Sequence, residues 1–320
     1  MAGVRRNILT DATARQQYLR GVTLLKQQFP GPTTADLGIG GPARRVSVYD
    51  LFVVWHHVAM STFTPPTQTE RNAAHVGPVF LPWHRFLLIQ FELQLQRVLR
   101  DDRFGLPYWD WAADGERPLG QQPSSAVWGD QCMGGQGSPV ASGPFAFRAA
   151  DPASWRVRID VDANGRLRAT DRGLRRAFGR TATSLPTKAQ VRGVLQRATY
   201  DAPPWNATSS GFRNQLEGWR PPDPGSRLHN RVHVWVGGDM LASTSPNDPV
   251  FYLNHCTVDR IWAAWLARHG ASYVPGQTAP ADLRGHRIDD PLHALLSAPM
   301  TPRETLDVGE FYTYDTLNVA

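Results

Sequence analysis

Four long segments of this chain carry apolar residues at helical spacing, and histidines lie inside three of them. Apolar side chains that recur at this spacing predict helices with at least one buried face. A buried imidazole is costly unless its ring nitrogens find partners. The fold must therefore pack these helices together and also provide for the histidines that they carry. The four segments span residues 13–28, 47–60, 82–100 and 248–269.

Local signals predict where several helices begin. Ser47 precedes the second segment and Asp50 follows three residues later, which is the pattern of a capping box. Pro82 lies in the first turn of the third segment, where proline is tolerated. Shorter helices are expected at Thr187–Thr199 and Leu228–Val236, with irregular stretches at Gly115–Ala153 and Pro221–Arg227.

Residues 155–170 admit two interpretations. Five residues fit the first, third, fifth, sixth and twelfth positions of a calcium loop: Asp160, Asp162, Asn164, Gly165 and Asp171. The flanking residues alternate apolar and polar, however, and Asn-Gly is the preferred pair for a type I′ hairpin turn. We expect a β-hairpin here, because a calcium loop of this kind needs a helix on each side.

Composition excludes several classes of function. The formal charge is +6, but the arginines are scattered and no basic run interleaved with aromatics occurs, so nucleic-acid binding is not expected. No apolar stretch is long enough to span a membrane, and no apolar leader follows the first arginines. We expect a cytoplasmic protein, or one exported only with a partner. The two cysteines, Cys132 and Cys256, are expected to be reduced thiols.

One group of histidines lies in the second half of the chain. His229 and His233 are four residues apart, which places both imidazoles on one helical face. His255 follows on another predicted helix and could complete a three-histidine metal site. A chance pairing, or a hydrogen-bonded pair without metal, would produce the same spacing.

A second group strengthens the metal interpretation. His56 and His84 lie on apolar helices and His75 lies on the loop between them, which gives a second set of three. His57 neighbours His56 but points about 100° away on a helix. The remaining histidines show no mutual pattern and are expected at the surface: His269, His286 and His293.

The ligand type limits the metal. All-imidazole sites without cysteine or carboxylate suit copper or zinc. A single three-histidine site would favour a hydrolytic zinc centre. Two such sites in one helical core favour a dinuclear redox centre, and copper pairs can pass two electrons to O2.

Several long motifs resemble those of the tyrosinase family of type-3 copper proteins, and those of bacterial members most of all. The first copper-site signature is matched by FLPWHRFLLIQFE, which LPYWDWAADG follows. The second is matched by LHNRVHVWVGGDM and closed by SPNDPVFYLNHCTVDRIWAAW. The resemblance extends from VRRN near the start to YTYD near the end of the chain.

The resemblance implies a fold and a set of copper ligands. The expected fold is mainly α, an antiparallel four-helix bundle holding two copper ions, with long irregular loops and little strand. Residues 1–320 would form a single catalytic domain with no C-terminal shielding domain. Arg5 is expected to stack on Tyr312 or Tyr314. The implied ligands are His56, His75 and His84 for the first copper and His229, His233 and His255 for the second.

Three further residues are implied to act in catalysis. Glu217 and Asn230 match a family glutamate and asparagine that hold a water able to take the phenol proton. The third is Asn254, which departs from the histidine that bacterial tyrosinases carry before their last ligand. An amide can form hydrogen bonds but cannot titrate, so ordinary tyrosinase activity is in doubt.

The resemblance implies an O2-dependent oxidase of phenols. The departure at Asn254 favours the branch that oxidises ortho-aminophenols to quinone imines or nitroso compounds in secondary metabolism. The alternatives are a conventional tyrosinase or catechol oxidase making ortho-quinones for melanin, an oxygen carrier, and a zinc hydrolase. The expected partners are a small phenolic substrate and a copper-delivering helper (caddie) protein.

Overall fold

The computed structural model describes residues 2–219 and 227–320. Within these ranges the chain is mainly helical, which confirms the predicted class. Short 3₁₀ turns and irregular loops connect the elements, and the predicted irregular segment Pro221–Arg227 lies outside the described residues except for Arg227. The α-helices are α1 (Ala12–Gln27), α2 (Val48–Ser61), α3 (Phe80–Leu99), α4 (Trp111–Gly115), α5 (Lys188–Leu195), α6 (Phe212–Glu217), α7 (Leu228–Val236) and α8 (Val250–His269).

The predicted helices are all present, with small shifts at their ends. The capping box of α2 is confirmed, because Ser47 Oγ accepts the Asp50 N–H and Asp50 accepts the Ser47 N–H. Helix α5 is shorter than predicted and ends at Leu195, its last buried residue. The antiparallel four-helix arrangement of the long helices stays a prediction.

Four short strands in the described part of the chain form two separate pairs. In the first, β1 (Gly3–Arg5) pairs in parallel with β4 (Tyr312–Tyr314), so the N-terminal segment lies beside the C-terminal one. In the second, β2 (Val157–Val161) pairs antiparallel with β3 (Leu167–Arg172), which confirms the predicted hairpin in place of a calcium loop.

The turn of this hairpin differs from the predicted type I′. That type needs a positive φ at both central residues, but within the loop only Gly165 has one, at +74°. The Asp162 carbonyl accepts the Gly165 N–H at 3.0 Å, and Asp162 N–H donates to the Arg166 carbonyl at 2.9 Å. The loop is therefore a tight turn closed by a left-handed glycine, and the Asp162 carboxylate stabilises it by accepting the N–H groups of Asn164 and Arg166.

Helices α3 and α8 lie at the centre of the fold. Most residues of both helices are buried, including Trp83, Trp262 and Trp265. They contact each other directly, and α1 packs on α3 while α7 packs on α8. Both central helices carry a predicted histidine ligand near their N-terminal ends, so the main apolar core surrounds the candidate site.

The predicted stacking of Arg5 is confirmed. Its guanidinium carbon lies 3.3 Å from the centre of the Tyr312 ring. The same side chain is fully buried and donates to Glu92 of α3 and to Asp259 of α8. Strand β1 is therefore fixed both by strand pairing and by a buried ion cluster between the two central helices.

Both cysteines are buried free thiols, as predicted. None of the helices in the two described ranges combines the length and the hydropathy that crossing a lipid bilayer requires.

One histidine expected at the surface is buried. His286 is fully enclosed, its Nε2 lies 2.9 Å from the Thr64 carbonyl, and a Cβ built on Gly77 would meet its ring at 2.7 Å. The prediction failed because the irregular C-terminal loops pack against the loop after α2, a long-range contact that no local pattern reveals. Burial, reinforced by Arg71, lowers the pKa of His286 to about 3.

Replacing His286 with glutamine should make stability less sensitive to acid. The folded protein keeps this ring neutral while the unfolded chain protonates it below about pH 6.5, so stability falls as pH drops from there toward 3. Protonation of this one residue in the unfolded chain lowers the free energy of unfolding by at most about 1.4 kcal/mol per pH unit. Urea unfolding of wild type and His286→Gln between pH 7 and 4 measures it, and parallel curves for the two proteins would contradict the assignment.

Candidate metal centre

The first histidine triad comes from two helices and the loop between them. His56 lies on α2, His84 on α3, and His75 on the loop. Asn72 fixes that loop, because its Oδ1 accepts the backbone N–H groups of Ala74 and His75 at 3.0 and 2.7 Å. The His75 ring centre lies 4.7 Å from that of His84 and 5.3 Å from that of His56. The structure thus brings the three predicted side chains together.

The second triad comes from α7 and α8. His229 and His233 are one helical turn apart, and their ring centres are 4.5 Å apart. The Nε2 of His255 lies 3.2 Å from the Nε2 of His229 and 3.4 Å from the Nε2 of His233. Three ring nitrogens therefore converge on one point.

Backbone carbonyls fix the protonation of four of the six rings. The Nδ1 of His56 lies 2.7 Å from the Ser243 carbonyl, and the Nδ1 of His84 lies 2.8 Å from the Phe80 carbonyl. The Nδ1 atoms of His229 and His233 lie 3.1 and 2.8 Å from the carbonyls of Glu217 and Met240. A carbonyl can only accept, so each Nδ1 carries the proton and each Nε2 keeps its lone pair.

Burial keeps these imidazoles neutral. It lowers the pKa of His56 to about 3 and that of His233 to about 4. For the other four, burial and the neighbouring rings hold the pKa well below the usual value. Neutral imidazole is the form that binds metals.

The two triads face each other across the α3–α8 contact. The rings of His84 and His255 stack with their centres 4.2 Å apart and an interplanar angle of 11°. His57 belongs to neither triad, and its Nδ1 instead lies 2.8 Å from Ser243 Oγ. The arrangement suits two adjacent ions, one for each triad.

The donor set fits a pair of soft or borderline cations. In each triad one potential ligand atom per residue lies within 4.8 Å of the others. The Nε2 atoms of His56 and His84 are buried and have no hydrogen-bond partner among the described residues. Lone pairs that converge without donors repel each other, and a cation is the partner that satisfies all of them.

Glu217 links the two triads through its side chain and its main chain. Its Oε1 accepts the N–H of Val76, the residue after His75, at 2.7 Å. Its carbonyl accepts from His229, whose Nδ1 also lies 3.0 Å from Asn230 Oδ1. Burial raises the pKa of Glu217, although the Arg213 guanidinium opposes that shift.

Two residues that support Glu217 were not predicted from the sequence. Arg213 donates to Glu217 Oε2 at 3.0 Å and makes two bonds to Asp201 at 2.9 and 2.7 Å. All three side chains are buried. The i,i+4 spacing of Arg213 and Glu217 is a recognisable helical ion-pair signal, but nothing local pointed to Asp201.

Asn254 lies fully buried beside His255 on α8. Neither its Nδ2 nor its Oδ1 has a hydrogen-bond partner among the described residues. Val76, next to His75, has a φ of +62°, which is unusual for a β-branched residue. Unpaired polar atoms and strained backbone of this kind concentrate at functional sites.

The protein-family model for the common central domain of tyrosinase matches residues 46–268 of the sequence. This chain belongs to the tyrosinase family. It is 42% identical to a tyrosinase of Streptomyces antibioticus, over 85% of this chain and 90% of the relative. It is 41% identical to grixazone synthase of Streptomyces griseus, over 98% of this chain and 100% of the relative.

Solved structures show the same fold at low sequence identity. A polyphenol oxidase from Thermothelomyces thermophila superposes with a TM-score of 0.69 at 23% identity, covering 98% of this chain and 89% of that one. A functional unit of octopus hemocyanin superposes with a TM-score of 0.56 at 19% identity, covering 99% of this chain and 69% of that one.

Membership in this family makes the chain a type-3 copper phenol oxidase that uses two copper ions and O2. The two triads fit that copper pair, and the hydrolytic zinc alternative would leave one of them without a role.

Metal counting should separate ligands from neighbours. We expect wild type to bind close to two copper ions per chain and His255→Ala to bind about one, because its triad keeps only two imidazoles. His57→Ala is the matched control and should still bind two, since its ring contacts Ser243 instead of a triad. Copper per chain by atomic absorption after gel filtration measures this. Loss of copper from His57→Ala with full retention by His56→Ala would reverse the assignment at the first triad.

Proposed function

We propose that this chain oxidises ortho-aminophenols with O2, producing quinone imines or nitroso compounds in secondary metabolism. The observation that carries the proposal is Asn254, a buried and unpartnered amide beside His255. The similarity to grixazone synthase over nearly the full length of both chains supports it.

Each triad is proposed to bind one copper ion. The first ion would take His56, His75 and His84 as ligands, and the second would take His229, His233 and His255. When bound, the copper pair supplies the two-electron redox chemistry by which O2 oxidises a phenol. The carbonyl contacts at Nδ1 orient four of the six rings before any metal arrives, which lowers the cost of assembling the site.

Glu217 and Asn230 are proposed to orient a water that takes the proton of the phenolic hydroxyl. A carboxylate oxygen can accept more than one hydrogen bond, so Glu217 retains acceptor capacity beyond Val76 and Arg213. Val76, Arg213 and the Trp219 side chain donate to this carboxylate and hold it in place, and Asn230 Oδ1 lies 3.0 Å from His229 Nδ1. The pair therefore lies at the edge of the second triad, where a substrate hydroxyl must lose its proton.

Asn254 is proposed to influence which product forms. Leaving its amide buried without partners costs roughly 1–3 kcal/mol, which an apolar side chain of similar size would avoid. An imidazole at this position could accept and release protons, whereas the amide cannot. Oxidation of an amino group requires several proton losses, so its course should depend on this difference more than oxidation of a catechol does.

The conventional tyrosinase or catechol oxidase remains the second candidate. Its support is the 40–44% identity to several Streptomyces tyrosinases. Both candidates share the copper pair and the same need for O2, so they differ in the substrate and not in the metal centre.

Two proposals concern how the enzyme is organised and supplied. Residues 1–320 are proposed to act as one catalytic domain, because a single large hydrophobic cluster connects the helices around the two triads. A helper (caddie) protein is proposed to deliver the copper, because five of the six candidate ligands are buried. The enzyme would work in the cytoplasm or leave the cell together with that helper.

A matched substrate series tests the proposed function. Monophenol, catechol and ortho-aminophenol with the same para substituent are compared at equal copper loading, and we expect the aminophenol to give the highest kcat/KM. Product identification by mass spectrometry separates a quinone imine from a nitroso compound. A catechol or monophenol preference would favour the conventional tyrosinase.

Replacing Asn254 with histidine should shift selectivity without removing copper. We expect Asn254→His to keep two coppers and to raise the ratio of catechol to ortho-aminophenol turnover, because an imidazole restores a titrating group beside His255. Steady-state rates with both substrates, together with the copper content, measure the shift.

The matched control is Asn254→Leu, which keeps a similar volume but has no polar atoms. If packing alone matters, this variant should keep the wild-type ratio with equal or higher thermal stability. Unchanged ratios and products in Asn254→His would remove the main support for the aminophenol proposal.

A further inference from the structure

An ion pair joins the two central helices directly beside the histidine triads. Arg85, the residue after His84 on α3, donates its Nε–H to Asp259 Oδ1 at 2.5 Å. Asp259 lies one helical turn after His255 on α8. Both side chains are almost completely buried. The salt bridge between α3 and α8 therefore starts one residue after one of the stacked rings and one helical turn after the other.

The pair is held rigidly from both sides. Arg85 also donates to the Thr305 carbonyl at 2.7 Å and stacks 3.8 Å from the centre of the Trp262 ring. The second oxygen of Asp259 accepts from Arg5 at 3.1 Å and from the hydroxyls of Tyr312 and Tyr314, each at 2.6 Å. The Arg5 and Arg85 guanidinium groups lower the pKa of Asp259 despite its burial, so it stays ionised.

The ring contacts inside each triad do not involve this pair. His84 is oriented by the Phe80 carbonyl within its own helix, and His229 and His233 are oriented by the carbonyls of Glu217 and Met240. These contacts orient rings within a triad, and the Glu217 side chain, which accepts from Val76, links the two triads at one edge. The relative position of the triads also depends on how α3 packs against α8. The Arg85–Asp259 bond joins these helices directly, and Arg5 joins them indirectly by donating to Glu92 and Asp259.

We propose that Arg85 and Asp259 are positioning residues that set the separation between the two copper sites. The inference rests on the proposed ligand sets but not on the identity of the phenolic substrate. A shift of one central helix along the other would leave each triad able to bind copper, but it would misalign the two ions for joint reaction with O2.

Electron paramagnetic resonance of the oxidised enzyme reads this separation directly. Two Cu(II) ions close enough to share a bridging ligand couple their unpaired electrons and give little signal, whereas separated ions each give one. In wild type we expect little of the bound copper to be visible. In Arg85→Met we expect nearly two coppers per chain, most of them visible, and a large fall in kcat. Folding should survive, because Asp259 keeps Arg5, Tyr312 and Tyr314 as partners.

Arg260→Met is the matched control. Arg260 is buried like Arg85 but lies on α8. It donates to the carbonyls of Thr316 and Asn318 and not to α3. We expect the copper of Arg260→Met to give little paramagnetic resonance signal, as in wild type, even if the melting temperature of this variant falls as far as that of Arg85→Met. Arg85→Lys keeps a positive charge for Asp259 but lacks the planar guanidinium group. We expect the fraction of its copper that is visible to lie between the fractions in wild type and in Arg85→Met.

The outcomes separate the two levels of inference. Two silent coppers in Arg85→Met would overturn the positioning role, as would a visible fraction that rises equally in Arg260→Met. Should Arg85→Met fail to fold, Arg85→Lys decides by the same measurement. Fewer than two coppers in wild type would overturn the proposed ligand sets and this inference with them, whereas a catechol preference would overturn only the substrate proposal.

Discussion

The packing of six neutral imidazoles into two adjacent triads is the constraint on which the rest of this structure depends. Rings this close cannot all be protonated, and their lone pairs repel unless a cation lies between them. The surrounding core makes this arrangement persist by burying the rings and by supplying carbonyls to the outer nitrogens of four of them. Apolar helices, irregular loops and buried ion pairs therefore all serve to hold a cluster that would otherwise be unfavourable.

The charged groups of the interior follow the same logic. Arg85 and Asp259 join the two central helices, and Arg213 with Asp201 holds Glu217 at the edge of the second triad. Each of these five buried charges has an opposite charge and further hydrogen bonds, which is the condition under which burial is tolerable.

Much of this architecture could be predicted from sequence because its signals are local. Helical spacing located the long helices, and Ser47 with Asp50 located the start of α2. The histidine triads were also predictable, since i,i+4 spacing and long family motifs both pointed to them. Two of the features that were missed depend on contacts between segments far apart in sequence. His286 is buried by a loop distant from it, and Asp201 reaches Arg213 from an irregular loop. The type of the hairpin turn was missed for a local reason, because Gly165 adopts a positive φ but Asn164 does not.

The pairing of β1 with β4 has a consequence for how the molecule folds. Arg5 contacts Tyr314 although the two residues are 309 positions apart in the sequence. Closing so long a loop costs entropy that only other native contacts can offset. The buried cluster of Arg5, Glu92 and Asp259, which joins α3 to α8, is therefore expected to form late, after the helices between the two strands have packed.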